Sequence, residues 1–148
     1  MKANETKVDK FLATNETTFA IPVYQRNYDW TLFQCKQLLH DIIETGKNDK
    51  TNAHFIGSIV YVHDDVYTAS GLTELTIIDG QQRLTTITLI YIALYRLAKE
   101  LDNQMLVNRI QKTYLINEFA PEEEKLKLKP TENNKEALRH ILNSADGE

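Results

Sequence analysis

The stretch that decides the fold is Ile78-Asp79-Gly80-Gln81-Gln82-Arg83-Leu84-Thr85-Thr86. Before it, Leu72 to Ile78 reads as a strand. After it, Leu84, Ile87, Leu89, Ile90, Ile92, Leu94, Leu97 and Leu101 make a helical pattern that is apolar on nearly all sides. A helix that apolar is central and covered on several faces. Asp79-Gly80 is therefore a turn from a buried strand into a buried helix. Helix N-termini carry free N–H donors and partial positive charge, so they attract anions. Gly80 removes the Cβ that would block a ligand from the backbone. Arg83 sits in the first helical turn, and its guanidinium matches phosphate oxygens two at a time. Gln81 and Gln82 are suited to a sugar, a base edge or a water. Asp79 is the sole carboxylate of the motif; it is suited to orient a water, coordinate Mg²⁺ or accept from a ribose hydroxyl. Two structural readings stand beside this one: Asp79 as a side-chain cap, and Arg83 as its ion-pair partner. Five polar residues between two buried elements leave many donors to satisfy without a ligand, which favours the ligand reading.

Working upstream, His54 to Val62 is rich in Phe, Ile and Val and reads as the strand that pairs with Leu72–Ile78. The polar linker His63 to Gly71 closes a hairpin. Thr31 and Gln34 form a capping box for a helix whose Cys35, Leu38, Leu39, Ile42 and Ile43 face the core, with Gly46 as its stop. Before it lies Tyr24-Gln25-Arg26-Asn27-Tyr28-Asp29-Trp30, dense in aromatic and polar groups. Its rings are suited to stack a base and Arg26 to reach a phosphate. The alternative is that Tyr28 and Trp30 staple the following helix while Arg26 is a surface charge. Phe19 to Pro22 is a short extended piece, and Val8 to Ala13 a short helix. Downstream, Asp102-Asn103 punctuates, Gln104 to Phe119 reads as a helix, Lys125 to Lys129 as a short strand, and Pro130-Thr131 opens a last helix with Ala137, Leu138, Ile141 and Leu142 on its apolar face.

The composition excludes several classes. The chain has 148 residues, enough for one domain with a real core, and a net charge of −4, so no strongly basic nucleic-acid surface shows in the totals. A single cysteine, Cys35, allows no internal disulfide; with no secretory leader visible, the expected compartment is the cytoplasm. The apolar run Leu84–Ala98 is too short and too polar to span a membrane. Neither a P-loop nor a dinucleotide fingerprint occurs. No zinc spacing is present, and nothing suggests haem or flavin. His54, His63, Asp64 and Asp65 can be drawn as a metal cluster, but His63 to Asp65 fall on the expected hairpin loop, where polar residues are ordinary. Ser58 lacks the setting of a nucleophile, Cys35 lies on an apolar helix face, and Glu122–Glu124 is a solvated linker.

Three ordered motifs resemble a known family. Ile21-Pro22-x-Tyr24-Gln25-Arg26-x-Tyr28-x-Trp30, His54-Phe55-Ile56-Gly57-Ser58-Ile59, and Ile78 to Thr86 resemble the amino-terminal domain of GmrSD-type modification-dependent restriction proteins. Lys127-Leu128-Lys129-Pro130-Thr131 looks like that family's later segment. Asp79 to Arg83 is also similar to the Asp-Gly-x-x-Arg signature of the ParB/sulfiredoxin-like superfamily. The resemblance implies an α+β fold with a ParB-like core at about residues 1–101, a small, mostly antiparallel sheet packed with helices, and the start of a helical extension at 102–148. It implies that residues 1–148 form one domain, the amino-terminal piece of a longer protein.

In function, the resemblance implies binding and hydrolysis of nucleoside triphosphates with Mg²⁺, in a defence system that cuts modified DNA. DNA would be engaged through the full-length protein or a partner nuclease domain. Nuclease activity is not expected of this chain, which carries no nuclease motif. The expected catalytic residues are Asp79, Gln81, Gln82 and Arg83, with Asp79 as the metal-holding carboxylate. The expected phosphate- and nucleotide-binding residues are Gly80, Arg83, Arg26, Gln25 and Tyr24. The sequence leaves a homodimer open. The rival reading is a non-catalytic module that recognises DNA or a modified base in the same groove, with Tyr24 and Tyr28 stacking.

Overall fold

The computed structural model describes residues 4–22, 27–47, 57–64, 71–121 and 125–145. It is an α+β fold in which four strands form one sheet in the order β2-β3-β1-β4. The elements in chain order are α1 (Val8–Leu12), β1 (Thr17–Ala20), α2 (Leu32–Lys47), β2 (Val60–Asp64), β3 (Thr73–Asp79), α3 (Gln81–Glu100), α4 (Gln104–Ile110), a π-helical turn (Gln111–Leu115), β4 (Leu128–Lys129) and α5 (Glu132–Ala145).

The antiparallel hairpin expected from the sequence is present with its first strand shifted: among the described residues β2 begins at Val60 and takes in His63 and Asp64, expected in the loop, so that Val60 stands opposite Asp79 and Asp64 opposite Glu74. The sheet as a whole is mixed rather than mostly antiparallel. β1 lies parallel to β3, with Phe19 opposite Leu75, and parallel to β4, with Phe19 opposite Leu128. Local patterning gives a strand but not its distant neighbour, and these two pairings join residues far apart in sequence.

A single core runs through the sheet and helices. Phe19, Ile77, Leu84 and Tyr95 are the most deeply enclosed large side chains, and Val107, Ile110, Leu115, Leu128, Leu138 and Leu142 belong to the same cluster. Residues beyond 101 thus contribute both a strand and core contacts. α3 ends where Asp102 takes a left-handed φ of 57°. The Asp102 N–H donates to the Lys99 carbonyl at 3.1 Å and the Asn103 N–H to the Ala98 carbonyl at 3.0 Å, a Schellman closure. Asn103 then caps α4, its side chain accepting from the Leu106 N–H at 3.2 Å.

Several local expectations shift. The Thr31/Gln34 box forms in one direction: Gln34 Oε1 accepts from both the N–H and the hydroxyl of Thr31. Gly46 lies inside the last turn of α2 rather than beyond it. Only Leu38 of the expected α2 core face is buried, while Leu39, Ile42 and Ile43 are exposed. Helical spacing gives a face, not what lies opposite it. The helix expected over Gln104–Phe119 stops being regular at Ile110 and ends in the π-helical turn. No helix among the described residues is long and apolar enough to cross a membrane.

Candidate functional site

Because β3, β1 and β4 are parallel, their carboxyl ends open on one edge of the sheet. Asp79, Ile21-Pro22 and Pro130-Thr131 leave the sheet there, and α3 and α5 start there. In sheets with parallel strands this edge is where ligands bind, since strand ends and helix starts converge without blocking the crevice.

The turn into α3 is made by Gly80 at a φ of 94°, in the left-handed region. A Cβ there would lie 3.1 Å from Ile59 Cγ1 and 3.2 Å from the Ser58 carbonyl oxygen, so glycine is required twice, by conformation and by contact. Gly80 occupies the cap position, and among the described residues no side-chain cap hydrogen bond is made to the first turn of α3. Asp79 is therefore not a side-chain cap. It ends β3 with its side chain exposed, and among the described residues no hydrogen bond or ion pair engages its carboxylate.

Arg83 does not pair with Asp79. Its Nη1 donates to the Ser58 carbonyl at 3.0 Å, and its guanidinium lies against Gly57, where an added Cβ would sit 2.6 Å from Cζ. Gly57 has a φ of 120°. The arginine is thus held by backbone, and among the described residues no carboxylate pairs with it. Both structural readings of the motif, a capping Asp79 and an Asp79–Arg83 pair, are absent.

The two glutamines differ. Gln81 is solvent-facing, and its Nε2 donates to the Ile78 carbonyl at 2.9 Å. Gln82 is buried, at 8% exposure; its Oε1 accepts from the Asp29 N–H at 2.8 Å and its Nε2 donates to the Asn27 carbonyl at 3.2 Å. Both ends of its amide are engaged by backbone, so Gln82 positions the neighbouring chain. Asn27 is also held from the other side, by the Thr131 hydroxyl donating to its Oδ1 at 2.8 Å. Thr85 and Thr86 turn their hydroxyls back to the carbonyls of Gln81 and Gln82, both at 2.8 Å, which keeps this polar start of the helix internally satisfied.

Tyr24, Gln25 and Arg26 lie outside the described residues, as do His54, Phe55 and Ile56 of the second motif. Their described flanks reach the same edge: the Ile21 N–H donates to the Lys129 carbonyl at 2.9 Å, and Asn27 to Asp29 are clamped by Gln82. Tyr28 is anchored rather than offered for stacking. Its hydroxyl meets Thr86 Oγ1 at 2.8 Å and Cys35 Sγ at 3.1 Å. Burial, and secondarily the Cys35 contact, push its phenol up to about 12. Trp30 packs on the core, as a staple would.

A cavity of about 380 Å³ lies at the opposite edge, beside Glu16, Leu72, Asn117 and Lys127. It suits a phosphate poorly. Lys127 Nζ donates to the carbonyls of Leu12, Thr14 and Thr113, and Lys112 pairs with Glu118 at 3.3 Å.

For a metal, no group of three or more His, Cys, Asp or Glu residues among the described residues converges on one point. The exposed Asp79 carboxylate fits only an ion that takes its other ligands from phosphate and water, the usual habit of Mg²⁺. Gly57, Ser58, Asn27 and Thr131 were not singled out as site residues from the sequence. The only signal was a glycine in a strand-like run, where a ligand or a neighbouring group often approaches the backbone.

The α+β fold carries a strand-Asp-Gly-helix corner whose guanidinium has no carboxylate partner among the described residues. Residues 8–148 match the family described as GmrSD restriction endonuclease, N-terminal domain, and the chain belongs to that family. It is thereby part of a restriction system, whose target is DNA. No curated protein matches the chain.

Proposed function

We propose that the chain is the nucleoside triphosphate-binding and hydrolysing module of a modification-dependent restriction protein, with its site at the Asp79–Arg83 corner. The observation that carries this reading is the state of Arg83. Its guanidinium is fixed on a backbone carbonyl, has no carboxylate partner among the described residues, and stands beside an uncapped helix start. An arginine kept this way retains its charge for an anion.

In this reading Arg83 and the first-turn N–H groups of α3 hold the terminal phosphates, and Arg26 adds a second cation. Asp79 orients a water and takes its proton. The water oxygen bonds to the terminal phosphorus while the bond from that phosphorus to the bridging oxygen breaks, and the nucleoside diphosphate leaves. Magnesium, arriving with the nucleotide, would neutralise phosphate charge, and Asp79 is the residue that would hold it. Gln81 contacts the sugar or water, Gly80 keeps the approach open, Tyr24 and Gln25 complete the pocket, and Gln82 fixes the wall. Positioning and electrostatics do most of the work in such chemistry.

Equilibrium binding of Mg²⁺-bound ATP, GTP, CTP and UTP tests the reading. Saturable binding of at least one is expected, weakened in Arg83→Ala by about 1.5–3 kcal/mol, the scale of one charge-assisted contact. Binding of duplex DNA alone, with a steep salt slope and no nucleotide binding, would instead support the recognition module.

A further inference from the structure

The Arg83 guanidinium and Gly57 are in closer contact than any side chain at 57 would allow. A Cβ built on Gly57 falls 2.6 Å from Arg83 Cζ, 2.7 Å from Nη1 and 2.8 Å from Nη2. All three atoms belong to the planar far end of a flexible side chain, so a Cβ at 57 would move the whole guanidinium off this seat rather than shift one atom of it. The next residue supplies the acceptor, since Arg83 Nη1 donates to the Ser58 carbonyl at 3.0 Å. The same short segment closes on the turn as well: the Ser58 carbonyl oxygen and Ile59 lie 3.1–3.4 Å from where a Gly80 Cβ would be. Two glycines with positive φ, 120° at Gly57 and 94° at Gly80, therefore let residues 57–59 and 79–83 nest together. This pairing continues the β2–β3 ladder, in which Val60 stands opposite Asp79.

We propose that Gly57 is a positioning residue of the anion site: its bare Cα is the bed on which the Arg83 guanidinium is laid flat, and the Ser58 carbonyl is the stop that fixes its rotation. The inference rests on the triphosphate-binding reading above and adds what sets the arginine's geometry. Nη1 gives one hydrogen to Ser58 and leaves the other N–H groups of the fork for phosphate oxygens. A guanidinium held in place before binding loses less side-chain freedom when the anion arrives. A lysine at 83 would keep the charge but could not lie flat on the bed or form the fork.

The test combines nucleotide binding with a stability cycle on the full chain, using Gly57→Ala, Arg83→Ala and the double variant. Gly57→Ala is expected to weaken binding of the Mg²⁺-bound nucleotides by roughly tenfold or more, the scale of one charge-assisted contact, and the double variant to be no worse than Arg83→Ala alone. In urea unfolding, Gly57→Ala should cost more stability with Arg83 present than with Arg83→Ala, because the atoms it collides with are then gone. If Gly57→Ala fails to fold with Arg83 but folds with Arg83→Ala, the collision is shown directly. Equal cost in both backgrounds, or failure to fold in both, would mean that position 57 needs glycine for its backbone alone, and would overturn the proposal. Arg83→Lys is the conservative control: it should bind as weakly as Arg83→Ala and be insensitive to Gly57→Ala. If the wild-type chain binds none of the four nucleotides, the proposed function fails and this inference falls with it. If the wild type binds and Gly57→Ala leaves that binding unchanged, only this inference falls.

Discussion

Gln82 closes on the backbone of Asp29: its Oε1 accepts from the Asp29 N–H at 2.8 Å while its Nε2 donates to the Asn27 carbonyl at 3.2 Å. One buried amide at the start of α3 thus ties down the chain that follows Tyr24-Gln25-Arg26. This motif residue joins the two signature segments.

Removing that clamp should be felt in stability first. Gln82→Ala leaves a part-buried donor and acceptor without partners, which costs about 1–3 kcal/mol per group left unsatisfied. Urea unfolding should show a clear fall in midpoint, with weaker nucleotide binding as a consequence. An unchanged midpoint would mean that water replaces the amide without loss.

Asp79→Asn should behave in the opposite way. The carboxylate is exposed and, among the described residues, unpartnered, so stability should move by no more than about 0.5 kcal/mol. Turnover should fall by roughly 100-fold or more if Asp79 orients the water, while nucleotide binding measured without Mg²⁺ survives, since the ion that Asp79 would hold is then absent. Phosphate release alongside equilibrium binding separates the two effects.

Tyr28→Phe should cost about 1 kcal/mol, the net scale of a hydrogen bond, because the hydroxyl links α3 through Thr86 to α2 through Cys35. The phenols of Tyr28 and Tyr91 are both pushed up to about 12 by burial. Ultraviolet titration of the wild type should therefore show tyrosines ionising about two pH units above the ordinary value, and Tyr28→Phe should remove one of them.

Lys127 gives a stability profile with a definite sign. It is 3% exposed, and its Nζ lies 3.0, 2.9 and 2.7 Å from the carbonyl oxygens of Leu12, Thr14 and Thr113. Burial lowers its pKa from 10.5 to about 8, while three carbonyl acceptors pull the other way and keep the ammonium charged at neutral pH. Between these two values the unfolded chain binds the proton and the folded chain releases it, so wild-type stability should rise with pH from about 8. Above about 10 the raised tyrosines act oppositely, since the folded chain then holds protons that the unfolded chain has lost. The clean window is therefore pH 8 to 10, where Lys127→Met should flatten the rise. The substitution should also cost on the order of 1–3 kcal/mol near neutral pH through its orphaned carbonyls.

The part of the fold legible in sequence is the part built locally. The strand-turn-helix at Ile78–Thr86 was plain because β-type and helical patterns meet at Asp-Gly. The Thr31/Gln34 start of α2 was legible because capping is a contact within one turn. The parallel places of β1 and β4 were not, because a pairing such as Phe19 with Leu128 joins distant segments. Lys127 shows in sequence only as part of a short strand; its burial depends on three carbonyls that come from elsewhere in the chain. At the site, Asp79, Gly80 and Arg83 could be chosen by chemistry alone. Gly57 could not, since its part is to be absent from a space that only the folded chain defines.

The central claim is that Arg83 keeps its charge for an anion at the carboxyl edge of the sheet. A crystal structure with a non-hydrolysable nucleoside triphosphate and Mg²⁺ tests it most directly. Phosphate oxygens within hydrogen-bond distance of the Arg83 guanidinium and of the first N–H groups of α3 are the expected result. A nucleotide bound instead in the cavity beside Asn117 and Lys127, with Arg83 still turned only to Ser58, would contradict it.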